Sequence, residues 1–138
     1  MDNLLSPYLT FNGNAREAMK FYQSVLGGEL KMTTFGESKM AQSPDQEDLI
    51  IHAVLKAEGV TFMASDSMPT AQAKFGDNIH MSLSGSDSAR LTKIFNELAK
   101  DGRVDLPLAK QFWGDVFGQL TDKFGVNWMV NVASGRST

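Results

Sequence analysis

An internal repeat is the feature of this sequence that most restricts its fold. Residues 57–66 read AEGVTFMASD and residues 123–132 read KFGVNWMVNV. Aligning the two segments places Met63 on Met129 and also matches a glycine, a valine and an aromatic residue, all at one constant offset. Such self-similarity indicates two copies of one supersecondary unit. The chain is therefore predicted to be a duplicated unit.

The first copy is predicted to contain a strand, a helix and three further strands. A strand over residues 7–12 precedes a helix with Asn14 as its N-cap and Glu17 as the capping-box partner. Gly27 and Gly28 end the helix, because glycine readily adopts the positive φ of a helix C-terminus. Further strands are predicted over residues 29–35, 49–56 and 60–65, with a polar loop over residues 36–48.

The second copy repeats this order of elements. A strand over residues 78–84 leads to Gly85, which the repeat matches to Gly13 at a slightly larger offset. Ser86 or Asp87 then caps a helix. The apolar face of this helix is predicted to contain Leu91, Ile94, Phe95 and Leu98. Strands follow over residues 103–110, 116–122 and 126–132, and Pro107 favours an edge position for the first of them.

These patterns predict an α+β chain of two tandem βαβββ modules. The first module covers residues 1–66, the connector residues 67–78 and the second module residues 79–138. In the last strand of each module, the polar residues and one methionine alternate with larger apolar residues. Thr61, Met63 and Ser65 share one face in the first module, and Asn127, Met129 and Asn131 share one face in the second. A methionine among polar groups suits the wall of a semi-polar cavity.

Composition excludes several classes of function. The 138 residues include no cysteine, which excludes thiol nucleophiles, disulfides and iron–sulfur clusters. The net charge of −3 with scattered basic residues argues against nucleic-acid binding. No apolar run approaches the length of a membrane span, and the first residues do not resemble a secretory signal. We expect a cytoplasmic protein that neither binds nucleic acid nor enters a membrane.

Two segments connect the duplication to a known superfamily. SPYLTFNGNAREAMKFYQSVLG near the start and FWGDVFGQLTDKFGVNWMVNV near the end resemble the PhnB-like branch of the vicinal oxygen chelate superfamily, which has the glyoxalase/bleomycin-resistance fold. The resemblance covers essentially the whole chain. It implies cupped mixed sheets with the helices outside, and a homodimer. It does not imply one activity, because such proteins include isomerases, epimerases, dioxygenases, thiol transferases and drug-sequestering proteins.

The resemblance also implies four places where metal-using relatives carry their ligands. Carried over to this sequence, those places fall on Tyr8, Met63, His80 and Met129. Hard divalent ions prefer carboxylates and imidazoles, whereas a thioether is a soft ligand. One imidazole, one phenol and two thioethers do not suit zinc, nickel, iron or manganese. We therefore predict no metal site and no cofactor.

Both histidines are candidates for a ligand pocket. His80 occupies the one conventional ligand place, so it is the candidate catalytic residue, acting as a general base. A structural histidine that is satisfied by its neighbours is the alternative. His52 lies on the third strand, where the repeat places Gly118 opposite it, and alternation alone leaves its face open. The predicted pocket residues are Tyr8, His52, Met63, His80, Trp113 and Met129.

Two adjacent aromatic residues interrupt an otherwise polar connection. Phe112 and Trp113 follow Gln111 and precede Gly114, and such a pair is costly to expose. They form a lid over a ligand, a contact between two chains, or part of the core.

Three aspartates at the ends of strands are further candidates. Asp66 and Asp115 are candidate acids, rim charges or turn formers. Asp122 is expected to accept hydrogen bonds from the amides that follow it, as aspartates at the start of a turn often do.

Three hypotheses about function follow. The first is metal-independent binding of a small, partly apolar organic molecule. The second is a metal-independent isomerase or lyase in which His80, with His52 as a second candidate, moves a proton. The third is a glyoxalase- or dioxygenase-type enzyme that uses a divalent metal through other ligands. The sequence contains no GxGxxG, GxxxxGK, GxSxG or HExxH motif, which argues against nucleotide binding and serine hydrolysis.

Overall fold

The structure, a computed structural model, describes residues 4–134. It divides into two compact units between Lys74 and Phe75, a boundary inside the predicted connector. Unit 1 contains β1 (Tyr8–Phe11), α1 (Ala15–Leu26), β2 (Glu29–Thr34), β3 (Ile50–Ala57) and β4 (Val60–Asp66). Unit 2 contains β5 (Met81–Gly85), α2 (Ser88–Ala99), β6 (Arg103–Lys110), β7 (Val116–Thr121) and β8 (Asn127–Val132). Both units have the predicted βαβββ order.

Each unit is a four-stranded mixed sheet with one helix. Unit 1 has the strand order β1-β4-β3-β2 and unit 2 the order β5-β8-β7-β6. In each sheet the first and last strands of the unit pair in parallel, and the other pairs are antiparallel. Pro107 lies on β6, which is an edge strand as predicted, because proline cannot donate to an inner ladder.

Helix α1 begins differently from the sequence prediction. Asn14 is the N-cap residue, but its side chain makes no capping hydrogen bond. Asp66, at the end of β4, takes that role because its Oδ1 accepts from the amides of Gly13 at 3.0 Å and Ala15 at 2.9 Å. Its Oδ2 accepts from the Ile50 amide at 2.9 Å. The predicted capping box is therefore wrong, and a buried carboxylate from a distant strand replaces it.

Helix α2 agrees closely with its prediction. The Asp87 side chain accepts from the Arg90 amide at 3.1 Å, which makes it the N-cap. The four buried side chains of the helix are the predicted Leu91, Ile94, Phe95 and Leu98. The buried residues of α1 are Ala15, Ala18, Met19, Tyr22 and Leu26.

A close backbone approach occurs at the same place in both units. A Cβ atom on Gly28 would lie 2.3 Å from the Lys56 carbonyl oxygen, and a Cβ atom on Gly102 would lie 2.4 Å from the Thr121 carbonyl oxygen. Both glycines lie just before the second strand of their unit, β2 or β6. A side chain does not fit at either glycine, so the two units are also alike at the start of their second strand.

Each sheet packs one face against the helix of its own unit. In unit 1 the Tyr22 ring lies edge-on to Phe62, with the ring centroids 5.8 Å apart. In unit 2 the Phe95 ring lies against Gly118, where a Cβ atom would come within 2.9 Å of it. We call the opposite face of each sheet its open face. Within residues 4–134 no helix is long and apolar enough to cross a membrane.

Candidate functional site

The open face of unit 1 carries a row of four side chains across its sheet. Tyr8 pairs with Met63, Met63 with Val54, and Val54 with Lys31. Directly opposed residues in a sheet share a face, so these side chains project on the same side. Met63 and Val54 are half-buried, whereas Tyr8 is 48% exposed. The row therefore places a short apolar strip between a phenol and an ammonium group.

His52 lies on this open face beside Tyr8, which settles the face that alternation left open. The Tyr8 Oη lies 3.4 Å from the His52 Nδ1, and the two ring centroids are 5.9 Å apart. This separation is longer than a strong hydrogen bond. Both groups keep the capacity to bond to a third atom, since a phenol and an imidazole can each donate and accept. The structure thus brings together Tyr8, His52 and Met63 of the predicted pocket residues.

Charged side chains lie at the other side of the same face. Lys31 Nζ lies 3.5 Å from Glu29 Oε1, and both side chains are largely exposed. Lys56 pairs across the sheet with Glu29. Together with Val54 these three side chains line a shallow cavity of about 100 Å³. Two lysines and one glutamate give this part of the open face a net positive charge.

The open face of unit 2 has a methionine at the matching place. Met129 pairs with Ser82 on one side and with Gln119 on the other. Asn131, on the same face of β8, donates from Nδ2 to the Asp115 Oδ2 at 3.0 Å. The residues named around Met129 are uncharged except for Asp115. This face therefore has hydrogen-bonding groups around a polarisable apolar side chain.

A hydrogen-bond network covers the end of the open face of unit 2 near the connector. Thr121 Oγ1 donates to Asp105 Oδ2 at 2.7 Å and also lies 3.1 Å from Asn127 Oδ1. Arg103 donates from Nε to Asp105 Oδ1 and from Nη2 to Thr121 Oγ1. Asn127 Nδ2 donates to the Gly76 carbonyl at 2.7 Å, which fixes the orientation of its amide. The network ties β6, β7 and β8 to the segment before β5.

The Asp105 carboxyl has a pKa below its ordinary value. The hydrogen bond from Thr121 is the main cause, and the hydrogen bond and positive charge of Arg103 add to it. Burial opposes the shift, and the charge of His80 contributes a smaller lowering. Asp105 was not among the residues singled out from the sequence, because only the β6–β7 pairing brings it beside Thr121.

The aromatic pair lies in a tight turn between β6 and β7. The Gln111 amide donates to the Asp115 carbonyl, and the Gly114 amide donates to the Gln111 carbonyl. The Trp113 ring contacts Phe117 on the open face of unit 2 edge-on at 5.9 Å, and Phe112 is 97% exposed. Core packing is thus wrong for Phe112, whereas a lid and a contact between chains both stay open.

The strand registers correct two correspondences drawn from the repeat. Tyr8 pairs with Met63 and Ser82 pairs with Met129, so Ser82, and not His80, matches Tyr8. The offset at the first strand is therefore larger than the match between Gly13 and Gly85 implied. Gly85 accordingly matches Phe11 and not Gly13.

The same comparison corrects the residue opposite His52. Ala53 pairs with Ala64, and Gly118 pairs with Val130, which is the counterpart of Ala64 in unit 2. Gly118 therefore matches Ala53, and Phe117 is the counterpart of His52. The two open faces differ here, with an imidazole in unit 1 and a phenyl ring in unit 2.

Comparison with known proteins identifies the family. The model of the 3-demethylubiquinone-9 3-methyltransferase family matches residues 3–131. The chain belongs to this family. It is 41% identical to protein PA1353 from Pseudomonas aeruginosa, with a TM-score of 0.84 over 95% of this chain and 98% of that one. It is 28% identical to the PhnB protein from Bacillus cereus, with a TM-score of 0.80 over 95% and 100% of the two chains.

A more distant structure shows the fold. A glyoxalase/bleomycin resistance protein from Albidiferax ferrireducens T118 is 12% identical, with a TM-score of 0.60 over 95% of this chain and 99% of that one. Together with the family match, this confirms the resemblance to the PhnB-like branch of the vicinal oxygen chelate superfamily and the α+β glyoxalase/bleomycin-resistance fold.

Three of the four ligand places carried over from metal-using relatives, Tyr8, Met63 and Met129, hold weak donors for a hard metal ion. Tyr8 and Met63 are adjacent in unit 1, and in unit 2 the register puts Ser82, and not His80, beside Met129. Within residues 4–134 no group of three or more His, Cys, Asp or Glu side chains could hold a metal ion. Phenol, hydroxyl and thioether groups do not suit zinc, nickel, iron or manganese.

The three candidate aspartates have structural partners. Asp66 is the buried acceptor described above for α1. Asp122 accepts from the amides of Phe124 and Val126 and from the Trp128 indole at 2.8 Å, which confirms the predicted turn role. Asp115 accepts from the Ser134 amide as well as from Asn131. All three carboxylates organise backbone or neighbouring side chains.

Proposed function

We propose that this protein binds a small, partly apolar organic molecule on the open faces of its sheets, without a metal ion. Met63 and Met129 supply adaptable apolar surface at matching places. The hydrogen-bonding groups beside them are Tyr8 and His52 in unit 1, and Ser82, Gln119 and Asn131 in unit 2. Such a mixture of apolar surface and a few polar groups is typical of small-molecule sites.

The contact between Tyr8 and His52 beside Met63 is the main support for this proposal. A tyrosine 48% exposed and an exposed histidine on a sheet face contribute little to the core. They are held 3.4 Å apart, close enough for both to contact one oxygen atom of a ligand. An apolar body of the same ligand would cover Met63 and Val54.

Methyl NMR of the methionines tests this proposal. The chain has eight methionines, of which Met63 and Met129 lie on the open faces, Met19 is buried on the inner side of α1 and Met40 is exposed in the loop after β2. The probes are 2-naphthol, coumarin, 4-hydroxybenzamide and S-adenosylmethionine. The last is included because the family name describes a methyltransferase. We expect saturable shifts of Met63 or Met129 with little change at Met40. Shifts confined to Met40, or none with any probe, would contradict the proposal.

Metal independence has a separate test. The purified protein is analysed for metal content, and its thermal unfolding is measured before and after treatment with a chelator. We expect no stoichiometric metal and an unchanged melting temperature, because a metal that binds only the folded state would raise it. Stoichiometric zinc or nickel whose removal lowers the melting temperature would favour the divalent-metal enzyme instead.

A metal-independent isomerase or lyase in which His80 is the general base is the second candidate. His80 is half-buried just before β5, and an imidazole can hold or move a proton. Exchange of the α-protons of small ketones and aldehydes into deuterated water would report such chemistry. Catalysed exchange that increases with pH and is lost in His80→Ala but kept in His52→Ala would support it. Exchange equal in wild type and His80→Ala would exclude His80 as the base.

A further inference from the structure

The open face of unit 1 has a polarity that defines the class of ligand more narrowly. Tyr8 and His52 provide hydrogen-bonding groups at one side, while Lys31 and Lys56 provide positive charge at the other. Met63 and Val54 lie between them. We propose that unit 1 binds a small organic carboxylate whose distal hydroxyl or carbonyl oxygen contacts Tyr8 and His52. This inference rests on the proposed function, because it names the ligand class for that same face.

The positions of His52 and Lys56 on β3 set the length of such a ligand. They lie four residues apart on the same face, and Tyr8 reaches across the sheet to His52. At about 3.3 Å per residue the Cα atoms of His52 and Lys56 are roughly 13 Å apart. The side chains at both ends can lean over Val54, which lies between them. The remaining gap suits one substituted aromatic ring or an alkyl chain of similar length.

The charges on this face favour an anion despite the presence of Glu29. Lys31 is paired with Glu29 at 3.5 Å, which offsets one positive charge and leaves Lys56 as the excess. At the corresponding end of unit 2, Arg103 is paired with Asp105, and neutral Thr121 takes the place of Lys56. The excess positive charge therefore belongs to unit 1. A compact ammonium group attracts a carboxylate as a point charge, in a salt-dependent manner.

The test compares 4-hydroxycinnamate with its neutral amide, using calorimetry and methyl NMR at Met63. Three variants of the full chain are measured beside wild type. Lys31→Gln/Lys56→Gln removes the positive side, Glu29→Gln removes the competing carboxylate, and Lys20→Gln/Lys93→Gln removes two charges from the helices as a matched control. None of the changed side chains is buried, so each variant is expected to fold, which circular dichroism checks.

We expect the acid to bind the Lys31→Gln/Lys56→Gln variant about five- to tenfold more weakly than wild type, and Glu29→Gln about two- to threefold more tightly. The helix control should stay within about twofold of wild type, and the affinity for the amide should not change in any variant. If both probes shift Met63 but the Lys31→Gln/Lys56→Gln variant binds the acid as tightly as wild type does, this inference is wrong while the proposed function stands. If neither probe binds, the inference is also wrong, and the proposed function is decided separately by its own probes.

Discussion

At the scale of single residues, the buried carboxylates have defined roles. Asp66 is 5% exposed and accepts three backbone hydrogen bonds, two from the start of α1 and one from the start of β3. Nothing near Asp66 in the sequence indicates this, because its partners are distant along the chain. Asp122 was predictable because two of its partners follow it closely in sequence. Local capping is visible in a sequence, whereas capping from a distant strand is not.

Replacing Asp66 with alanine should destabilise the protein by roughly 3 kcal/mol or more, because buried amides would be left without an acceptor. Chemical denaturation measures the change in the free energy of unfolding. The matched control is Asp48→Ala, at an exposed carboxylate in the same unit, and it should change stability by less than about 0.5 kcal/mol. Equal effects of the two substitutions would show that the Asp66 contacts contribute nothing.

The Thr121→Val substitution should raise the pKa of Asp105 towards the ordinary value of 3.8, because it removes the main cause of the lowering. A carboxyl whose pKa is lowered by folding stabilises the native state above its unfolded pKa. That stabilisation is lost as pH falls through the lowered value. The variant should therefore lose less stability than wild type on acidification below about pH 4. NMR titration of the Asp105 carboxyl checks the shift, with Thr33→Val as the control; an unchanged pKa contradicts the assignment.

At the scale of elements, the repeat predicted the order of strands and helices but not their register. The stretch from the first strand to the methionine on the last strand is longer in unit 1, from Tyr8 to Met63, than in unit 2, from Ser82 to Met129. The offset between the units therefore decreases along the chain, chiefly across the longer loop after β2. A single offset could not place His80 and Ser82 correctly, since hydrogen bonding between strands sets their alignment.

The entry to β6 gives a prediction at this scale. Gly102→Ala should destabilise the protein by about 2 kcal/mol or more, because its Cβ atom would lie 2.4 Å from a backbone oxygen that cannot rotate away. Gly76→Ala is the control, since the nearest atom to its Cβ would be 3.6 Å away. The melting temperatures of the two variants compare them. A Gly102→Ala protein as stable as the control would mean that the strand entry can shift.

At the scale of the whole molecule, the proposed site combines predicted and unpredicted features. Tyr8, Met63 and Met129 were identified from the resemblance, and the structure adds the contact of Tyr8 with His52. The positive side formed by Lys31 and Lys56 was not predicted, because exposed lysines have no distinctive pattern until the strand pairing brings them together. Homodimerisation follows only from the resemblance and stays a prediction.

Phe112 distinguishes the two roles proposed for the aromatic turn. Phe112→Ser should fold normally, because the side chain is 97% exposed. If the turn contacts a second chain, light scattering should show a weakened dimer; if it is a lid, probe affinity should fall with the oligomeric state unchanged. Met40→Ser, at another exposed apolar residue, is the control. No change in either measurement would exclude both roles.

The open face of unit 1 is proposed to bind a partly apolar molecule without a metal. The affinity of chelator-treated protein for 2-naphthol, measured by calorimetry in wild type, Met63→Gln and Met40→Gln, tests this proposal. Met63 lies beside Tyr8 on the open face, and Met40 lies in an exposed loop. We expect about fivefold weaker binding to Met63→Gln, because an apolar contact is lost, and wild-type affinity in Met40→Gln. Unchanged affinity in Met63→Gln, or binding that requires added metal, would contradict it.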